Sequence, residues 1–501
     1  MKLADLLRAL EPAQVLAVPD VTVTGITADS RQVSPGDLFI SIPGAHVDAH
    51  RFIPDAIERG AVAVVSQRPC EVPAGVGAVV VPDARRALSA LADRFYGYPS
   101  CTLKMVGVTG TNGKTTTAFL VEAIAREAGK TMGVIGTAGM MLGREVIEGK
   151  AGYTTPEPQT IHRLLATMLD RGAWGAVMEV SSHALEQHRT DHCRFDVAVF
   201  TNLTHEHLDY HGDMESYYAA KARLFHELRP GATAVINIDD PYGRRLAGEL
   251  PLGVRLYTYG FASDAEVRAE DVQLTAGGAR YRLITPVGAV DIEAPYLFGA
   301  YNVSNALAAV AAGLALGFGL NTAARALRAA KGAPGRFERI DEGQDFTVVV
   351  DYAHTPDGFE KLLSDVARLK EPGTRVIMVF GSAGHRDRTK RPDMGRIAGE
   401  YCDVLVLTEE DPRTEDALEI AREIAAGVTR DEVEIHLIED RVEAIEHAIR
   451  MARSGDIVLI TGKGHETDLE VQHPTTWRGD VPAAVAALQS RAREEARGVR
   501  A

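Results

Sequence analysis

Short apolar runs rich in valine, isoleucine and alanine recur along this chain, with amphipathic stretches between most of them. Leu103–Thr109 is one such run, and a glycine-rich turn and the helix-period stretch Lys114–Ala128 follow it. Met132–Ile135, Gly175–Val180, Val197–Thr201 and Ala234–Asn237 repeat the pattern. Runs this short, continuous rather than alternating, predict strands buried on both faces. Strands that alternate with helices predict a largely parallel, doubly wound α/β sheet. The longest apolar run, Ala306–Leu320, is shorter than the roughly 20 residues a membrane span needs, so it predicts a buried helix. Ala300–Leu327 as a whole reads as two packed helices.

The flanks differ in texture. Residues 1–100 carry β-like runs such as Val21–Ile26 and Ala61–Ser66, punctuated by Ser34-Pro35-Gly36-Asp37, and predict a small α/β domain. Tyr98-Pro99-Ser100 reads as a linker to a central domain over 101–333. A third α/β domain, 334–501, starts near Pro334-Gly335-Arg336, with strands expected at Phe346–Asp351, Arg375–Phe380, Val404–Leu407, Glu434–Ile438 and Ile457–Thr461. The charged stretch Arg491–Ala501 is expected to fray. Three domains also suit 501 residues at roughly 100–200 per domain.

Composition narrows the function. A formal net charge of −15 opposes non-specific nucleic-acid binding, which needs clustered lysine and arginine. Local cations and backbone N–H groups can still hold a phosphorylated substrate. Four cysteines without a C-x-x-C pair fit a reducing cytoplasm, and Met1–Leu10 lacks the apolar core of a signal peptide, so neither export nor membrane insertion is expected. The chain is expected to act as a monomer.

Thr109-Gly110-Thr111-Asn112-Gly113-Lys114-Thr115-Thr116 joins a predicted strand to a predicted helix, which is the setting of a phosphate loop. Gly110 and Gly113 let backbone N–H groups approach phosphate oxygens, and the helix N-terminus adds positive partial charge. Lys114 is expected to reach the outer phosphates of ATP, and Thr115 to offer its hydroxyl to Mg²⁺. In G-x-x-x-x-G-K-[ST] the first glycine would fall on Val108, so the loop departs from that form. Glu179, at a predicted strand end, can hold Mg²⁺ opposite the loop. His205, His207 and His211, read alone, suggest zinc, but no second ligand cluster has matching spacing.

The phosphate-loop string resembles the signature of the Mur ligases and of their folylpolyglutamate synthetase relatives. Glu179-Val180-Ser181-Ser182-His183-Ala184-Leu185 and Tyr153-Thr154-Thr155-Pro156 are similar to segments of the diamino-acid-adding Mur ligases, the MurE type, and a folylpolyglutamate synthetase should lack that pair. The resemblance implies three domains: a uridine-nucleotide domain, a central phosphate-loop ATPase and a Rossmann-like amino-acid domain. It implies ATP-dependent addition of a diamino acid to UDP-N-acetylmuramoyl-L-alanyl-D-glutamate through an acyl phosphate. By the same resemblance Ser30, Thr154, Thr155, Ser182, Gln187 and Arg189 contact the UDP-linked precursor. Gly110, Thr111, Asn112, Gly113, Lys114, Thr115, Thr116, Asn302, Arg336 and Asp351 line ATP. His207 binds a second Mg²⁺, and Lys221 is carbamylated beside the nucleotide. The segment Gly44–Phe52 resembles a uridine-diphosphate segment, with Ala49 where glycine is usual.

For the incoming amino acid the resemblance points to Arg391, Asp411, Arg413, Gly462 and Glu466. Glu410-Asp411-Pro412-Arg413 stands where members that add meso-2,6-diaminopimelate read Asp-Asn-Pro-Arg. Arg413 suits the distal carboxylate of diaminopimelate. Asp411 adds a charge suited to an amine, which keeps L-lysine and L-ornithine open. Leaving Arg413 without its carboxylate would cost roughly 3–5 kcal/mol, unless Asp411 or Glu410 pairs with it. Relatives often carry aspartate at the position of His385, and usually differ at His205-Glu206.

Overall fold

The structure is a computed structural model that describes residues 1–10, 14–44, 48–143, 145–149, 153–275, 278–496 and 498. Ala45-His46-Val47, part of the uridine-diphosphate-like segment, lie outside the described residues. Two compact units divide the chain: Met1–Glu270 with Leu283–Val290 and Ser304–Ala326, and Asp271–Arg282 with Asp291–Val303 and Leu327–Ala501.

The first unit opens with a five-stranded sheet. Gly25–Thr27, Asp37–Ile40, Ala63–Ser66 and Gly77–Val80 run parallel, and Gln14–Ala17 closes one edge antiparallel. Asp83 caps the helix Ala84–Phe95 by accepting from the N–H groups of Arg85 and Arg86. Leu88 and Leu91 on that helix pack with Leu38, Ile40 and Val65 of the sheet. The expected linker is not loose. Pro99 and Ser100 are buried, and the Ser100 hydroxyl accepts from the Arg194 N–H at 3.2 Å.

A second sheet carries the phosphate loop. Thr233–Asn237, Val197–Phe200, Lys104–Thr109, Gly175–Glu179 and Met132–Gly136 lie side by side in that order, all parallel. Continuous valine, alanine and isoleucine bury both faces of these strands, as their unalternating pattern predicts. Two antiparallel strands, Gly139–Leu142 and Glu145–Glu148, extend one edge. Arg255–Gly260 and Val267–Thr275 extend the other. Glu145–Glu148 and Val267–Thr275 mix charged and apolar residues, so these two show no apolar run to mark them in sequence.

The second unit holds a six-stranded sheet in the order Glu338–Ile340, Thr347–Asp351, Ile457–Thr461, Val376–Phe380, Val404–Leu407, Glu434–Leu437. The first strand is antiparallel and the rest are parallel. Phe359, Leu363, Met394 and Ile397 cover one face, and Ile445, Ile449, Ala484 and Leu488 the other. Helix Asp480–Ala496 continues past Arg491, which donates to the Ile449 and Ala452 carbonyls at 2.6 and 2.9 Å; residues 497 and 499–501 of the stretch expected to fray lie outside the described residues.

That helix is tied down by an ion pair with no solvent exposure. Arg441 donates to Asp480 at 2.7 and 2.8 Å and to the Thr461 carbonyl at 2.8 Å, while the Trp477 indole donates to Asp480 at 3.1 Å. Removing one partner strands a buried charge. Asp480→Ala is therefore expected to cost roughly 3–5 kcal/mol in denaturant or thermal unfolding. A loss below ~1 kcal/mol would show that the pair does not anchor the helix.

Candidate functional site

In the first unit three adjacent strand ends meet. The register sets Glu179 beside Val108 and Phe200 beside Thr109, so Gly110, Glu179 and Thr201 gather at the C-terminal edge of the sheet. This is where open α/β sheets bind ligands. The chain turns at Gly110 with φ +146° and at Gly113 with φ +86° before helix Lys114–Glu127 begins. A Cβ on Gly110 would overlap the Thr201 hydroxyl, and one on Gly113 the Asn305 amide, so both positions need glycine. The turn is clamped from the neighbouring strand. Thr111 N–H donates to the Asn202 carbonyl at 2.8 Å, Asn112 N–H to Asn202 Oδ1 at 3.0 Å, and Thr201 Oγ1 to the Asn112 carbonyl at 2.6 Å. Thr116 is buried in the first helical turn.

Two lysines converge on this turn. Lys114 Nζ donates to the carbonyls of Gly110 and Thr111 at 3.0 and 2.9 Å. Lys221, on helix Met214–His226, is 1% exposed and donates to the same Gly110 carbonyl at 2.8 Å. Burial holds the Lys221 ammonium well below the usual lysine range, and the Lys114 charge adds to the effect, with Glu206 opposing it. The neutral amine this favours is a nucleophile.

Glu179 is buried opposite the loop. It accepts from the Thr115 hydroxyl at 3.0 Å, the Thr137 N–H at 3.0 Å and the Thr137 hydroxyl at 3.2 Å. A hydroxyl beside a carboxylate at a phosphate loop is an oxygen donor set that fits Mg²⁺. Among the described residues no group of three or more His, Cys, Asp and Glu side chains is arranged to hold a metal alone. Both ring nitrogens of His211 are engaged, with Ser182 at 3.0 Å and Glu186 at 3.1 Å, and His211 stacks on Tyr217. His207 is exposed, in left-handed backbone at φ 56°, with its ring 4.9 Å from that of His183.

Thr154, Thr155, Gln187 and Arg189 form one cluster. Arg189 donates to the Thr155 carbonyl and to Gln187 Oε1, both at 2.8 Å, pairs with Glu157 at 3.0 Å and lies over the Tyr153 ring. Thr155 Oγ1 donates to the Glu179 carbonyl at 2.8 Å, and the Thr154 and Thr137 hydroxyls lie in hydrogen-bond contact at 3.1 Å. The cluster is thus joined to Glu179. Ser181 caps helix Ser182–Glu186, which accounts for one of the two serines structurally. Ser30 lies apart, in the short helix Ser30–Gln32 that Asp29 caps, and no hydrogen bond among the described residues joins it to this cluster.

In the second unit Asp351 ends a strand and accepts from the Phe337 and Ala353 N–H groups at 2.7 and 2.8 Å. It is not the cap of the following helix; Thr355 is. Burial raises the Asp351 carboxyl, against the pull of Arg336, whose guanidinium lies 4.5 Å from the Tyr352 ring centre. Asn302 is buried and donates to the Phe298 carbonyl at 2.9 Å.

Asp411 and Glu466 are held together through Lys463, which sequence reasoning passed over. Lys463 is buried and pairs with Asp411 at 2.8 Å and Glu466 at 2.7 Å. Arg413 joins them through Glu470, whose N–H donates to Asp411 Oδ1 at 2.9 Å. The glycines on both sides of Lys463 leave no pattern that marks it in sequence. Gly462 takes φ +105°, and a Cβ there would overlap Glu410 Oε2. Glu410 is enclosed, and burial pushes its carboxyl up to about 8 despite Arg441, Lys390 and Lys463 nearby. Arg413 pairs with neither Asp411 nor Glu410. It binds Glu470 at 2.7 Å and the Gly384 carbonyl.

Arg391 lies beside them. It has no solvent exposure and spends its Nη groups on Glu415 at 3.0 Å, Glu423 at 2.7 Å and the Ala383 carbonyl at 3.3 Å, next to the Gly384 carbonyl that Arg413 binds. Arg388 is taken by Glu423 and Lys390 by the His354 carbonyl. Arg386, exposed in the same loop, forms no ion pair among the described residues.

Comparison with known proteins gives three family matches. The Mur ligase middle domain matches residues 108–313, the Mur ligase glutamate ligase domain 335–464, and the Mur ligase family catalytic domain 22–96. A UDP-N-acetylmuramoyl-L-alanyl-D-glutamate--2,6-diaminopimelate ligase of Geobacillus thermodenitrificans is 48% identical, over 93% of this chain and 95% of its own. One of the same name from Geobacter metallireducens is 44% identical, over 98% and 99%. A solved structure described by that name superposes with a TM-score of 0.72 at 32% identity, covering 98% of this chain and 99% of that one.

Gly110→Ala tests the loop. The added Cβ and the positive φ together would cost ~1–3 kcal/mol of strain or displacement, so ADP affinity should fall roughly five- to a hundredfold in a calorimetric titration. Unchanged affinity would mean that the nucleotide phosphates are not held at this turn.

Proposed function

Since this chain belongs to the Mur ligase family, ATP-dependent enzymes of peptide-bond formation in peptidoglycan precursor synthesis, we propose that it adds meso-2,6-diaminopimelate to UDP-N-acetylmuramoyl-L-alanyl-D-glutamate. The observation that carries the chemistry is the convergence of Lys114 and Lys221 on the Gly110 carbonyl, facing Thr115 and Glu179. The D-glutamate carboxylate attacks the γ-phosphorus of ATP and ADP leaves. The amine of the incoming amino acid attacks the acyl phosphate, and inorganic phosphate leaves. Lys114 leaves its loop carbonyls for the outer phosphates and stabilises the charge that develops there. Thr115 and Glu179 would hold Mg²⁺, with His207 at a second Mg²⁺; the metal supplies charge neutralisation to the phosphates. Gly110, Thr111, Asn112, Gly113 and Thr116 cradle the phosphates, and Asn302, Arg336 and Asp351 serve the nucleotide. Ser30, Thr154, Thr155, Ser182, Gln187 and Arg189 serve the UDP-linked precursor.

Lys221 carries a carbamate in the active enzyme. Its neutral amine adds to the carbon of CO₂, loses a proton, and becomes an anion suited to Mg²⁺. Stripping CO₂ from the buffer should lower turnover severalfold and added bicarbonate should restore it. Full turnover in CO₂-free buffer would remove the carbamate from the scheme.

The domain boundaries are 1–100, 101–333 and 334–501, and the three family matches fall one within each. The proposed reaction is cytoplasmic, with one copy of the chain supplying every residue named. Among the described residues no helix is long and apolar enough to cross a membrane.

Diaminopimelate is favoured over L-lysine and L-ornithine by the cations Arg413 and the exposed Arg386, which suit a distal carboxylate. Asp411 and Glu466 share Lys463, and Glu466 serves the distal ammonium. The deciding experiment is phosphate release with ATP, the UDP-linked dipeptide and each amino acid in turn. Diaminopimelate should support turnover at least tenfold better than lysine or ornithine; preference for either of those would sink the assignment.

A further inference from the structure

Arg413 already has a carboxylate. Glu470 Oε2 lies 2.7 Å from Arg413 Nε, and its side chain is 61% exposed. The backbone beneath is pinned: Arg413 N–H donates to the Glu470 carbonyl at 3.1 Å, and Glu470 N–H donates to Asp411 Oδ1 at 2.9 Å. Asp411 is itself fixed by Lys463. The main chain at 470 is therefore held against Arg413 while the carboxylate above it can rotate into water.

We propose that Glu470 is a specificity-setting residue, a built-in carboxylate that occupies Arg413 until the distal carboxylate of the incoming amino acid displaces it. This rests on Arg413 reading that carboxylate, as proposed above. Glu470 acts on two ligands in opposite directions. Diaminopimelate must evict Glu470, so the residue weakens its binding. Lysine has no distal carboxylate, and Glu470 spares it the cost of covering an unpaired arginine. The residue therefore narrows the gap between the two amino acids.

The test is Glu470→Gln in the full-length enzyme, which keeps size and hydrogen bonding and removes the charge. A partly exposed ion pair is worth about two- to fivefold in binding. The KM for diaminopimelate should fall by that factor, the inhibition constant of L-lysine against diaminopimelate should rise, and the KM for ATP should stay. In an Arg413→Ala background the substitution should change neither amino-acid constant. A diaminopimelate KM that is unchanged or raised, or two amino-acid constants moving together, would overturn the proposal. If Arg413→Ala alone leaves the diaminopimelate KM unchanged, the reading of Arg413 fails instead, and the proposal goes with it.

Discussion

Everything at the phosphate-loop end depends on the register of three parallel strands. Because Lys104–Thr109 runs between Gly175–Glu179 and Val197–Phe200 and all three end level, the Gly110 turn, the Glu179 carboxylate and the Thr201-Asn202 clamp share one edge. A shift of one residue would turn every side chain to the other face of the sheet. The strands can hold that register because both faces are buried in apolar contacts. Their ends are then free to carry polar groups that a core would not tolerate.

The chain is acidic, yet its site is built on cations. The two lysines at Gly110 are held by main-chain oxygens, and one of them is pushed toward neutrality by burial. In the second unit the cations are held by carboxylates instead: Arg391 by Glu415 and Glu423, Lys463 by Asp411 and Glu466, Arg413 by Glu470. Partners of this kind set positively charged side chains in place before a substrate arrives.

Much of this was legible in the sequence. Unalternating apolar runs located the buried strands because a strand covered on both faces has no polar positions to interrupt it. Gly-Lys-Thr at a strand–helix junction located the loop because only glycine accepts the φ values at 110 and 113. The edge strands such as Glu145–Glu148 were not visible, since their mixed burial leaves no run and no clean alternation.

The sequence by itself determined the alternation of strands and helices, the phosphate loop and the order of the motifs, all of which are written in neighbouring residues. Tertiary structure alone decided which charges meet. Arg413 and Glu470 are 57 positions apart, and Lys463 and Asp411 are 52. An ion pair depends on where two loops come to rest, and side-chain type at either position carries no record of that distance. For the same reason the exposures of Arg391 and Arg386, five positions apart in one basic loop, were set only when packing enclosed one and left the other in solvent.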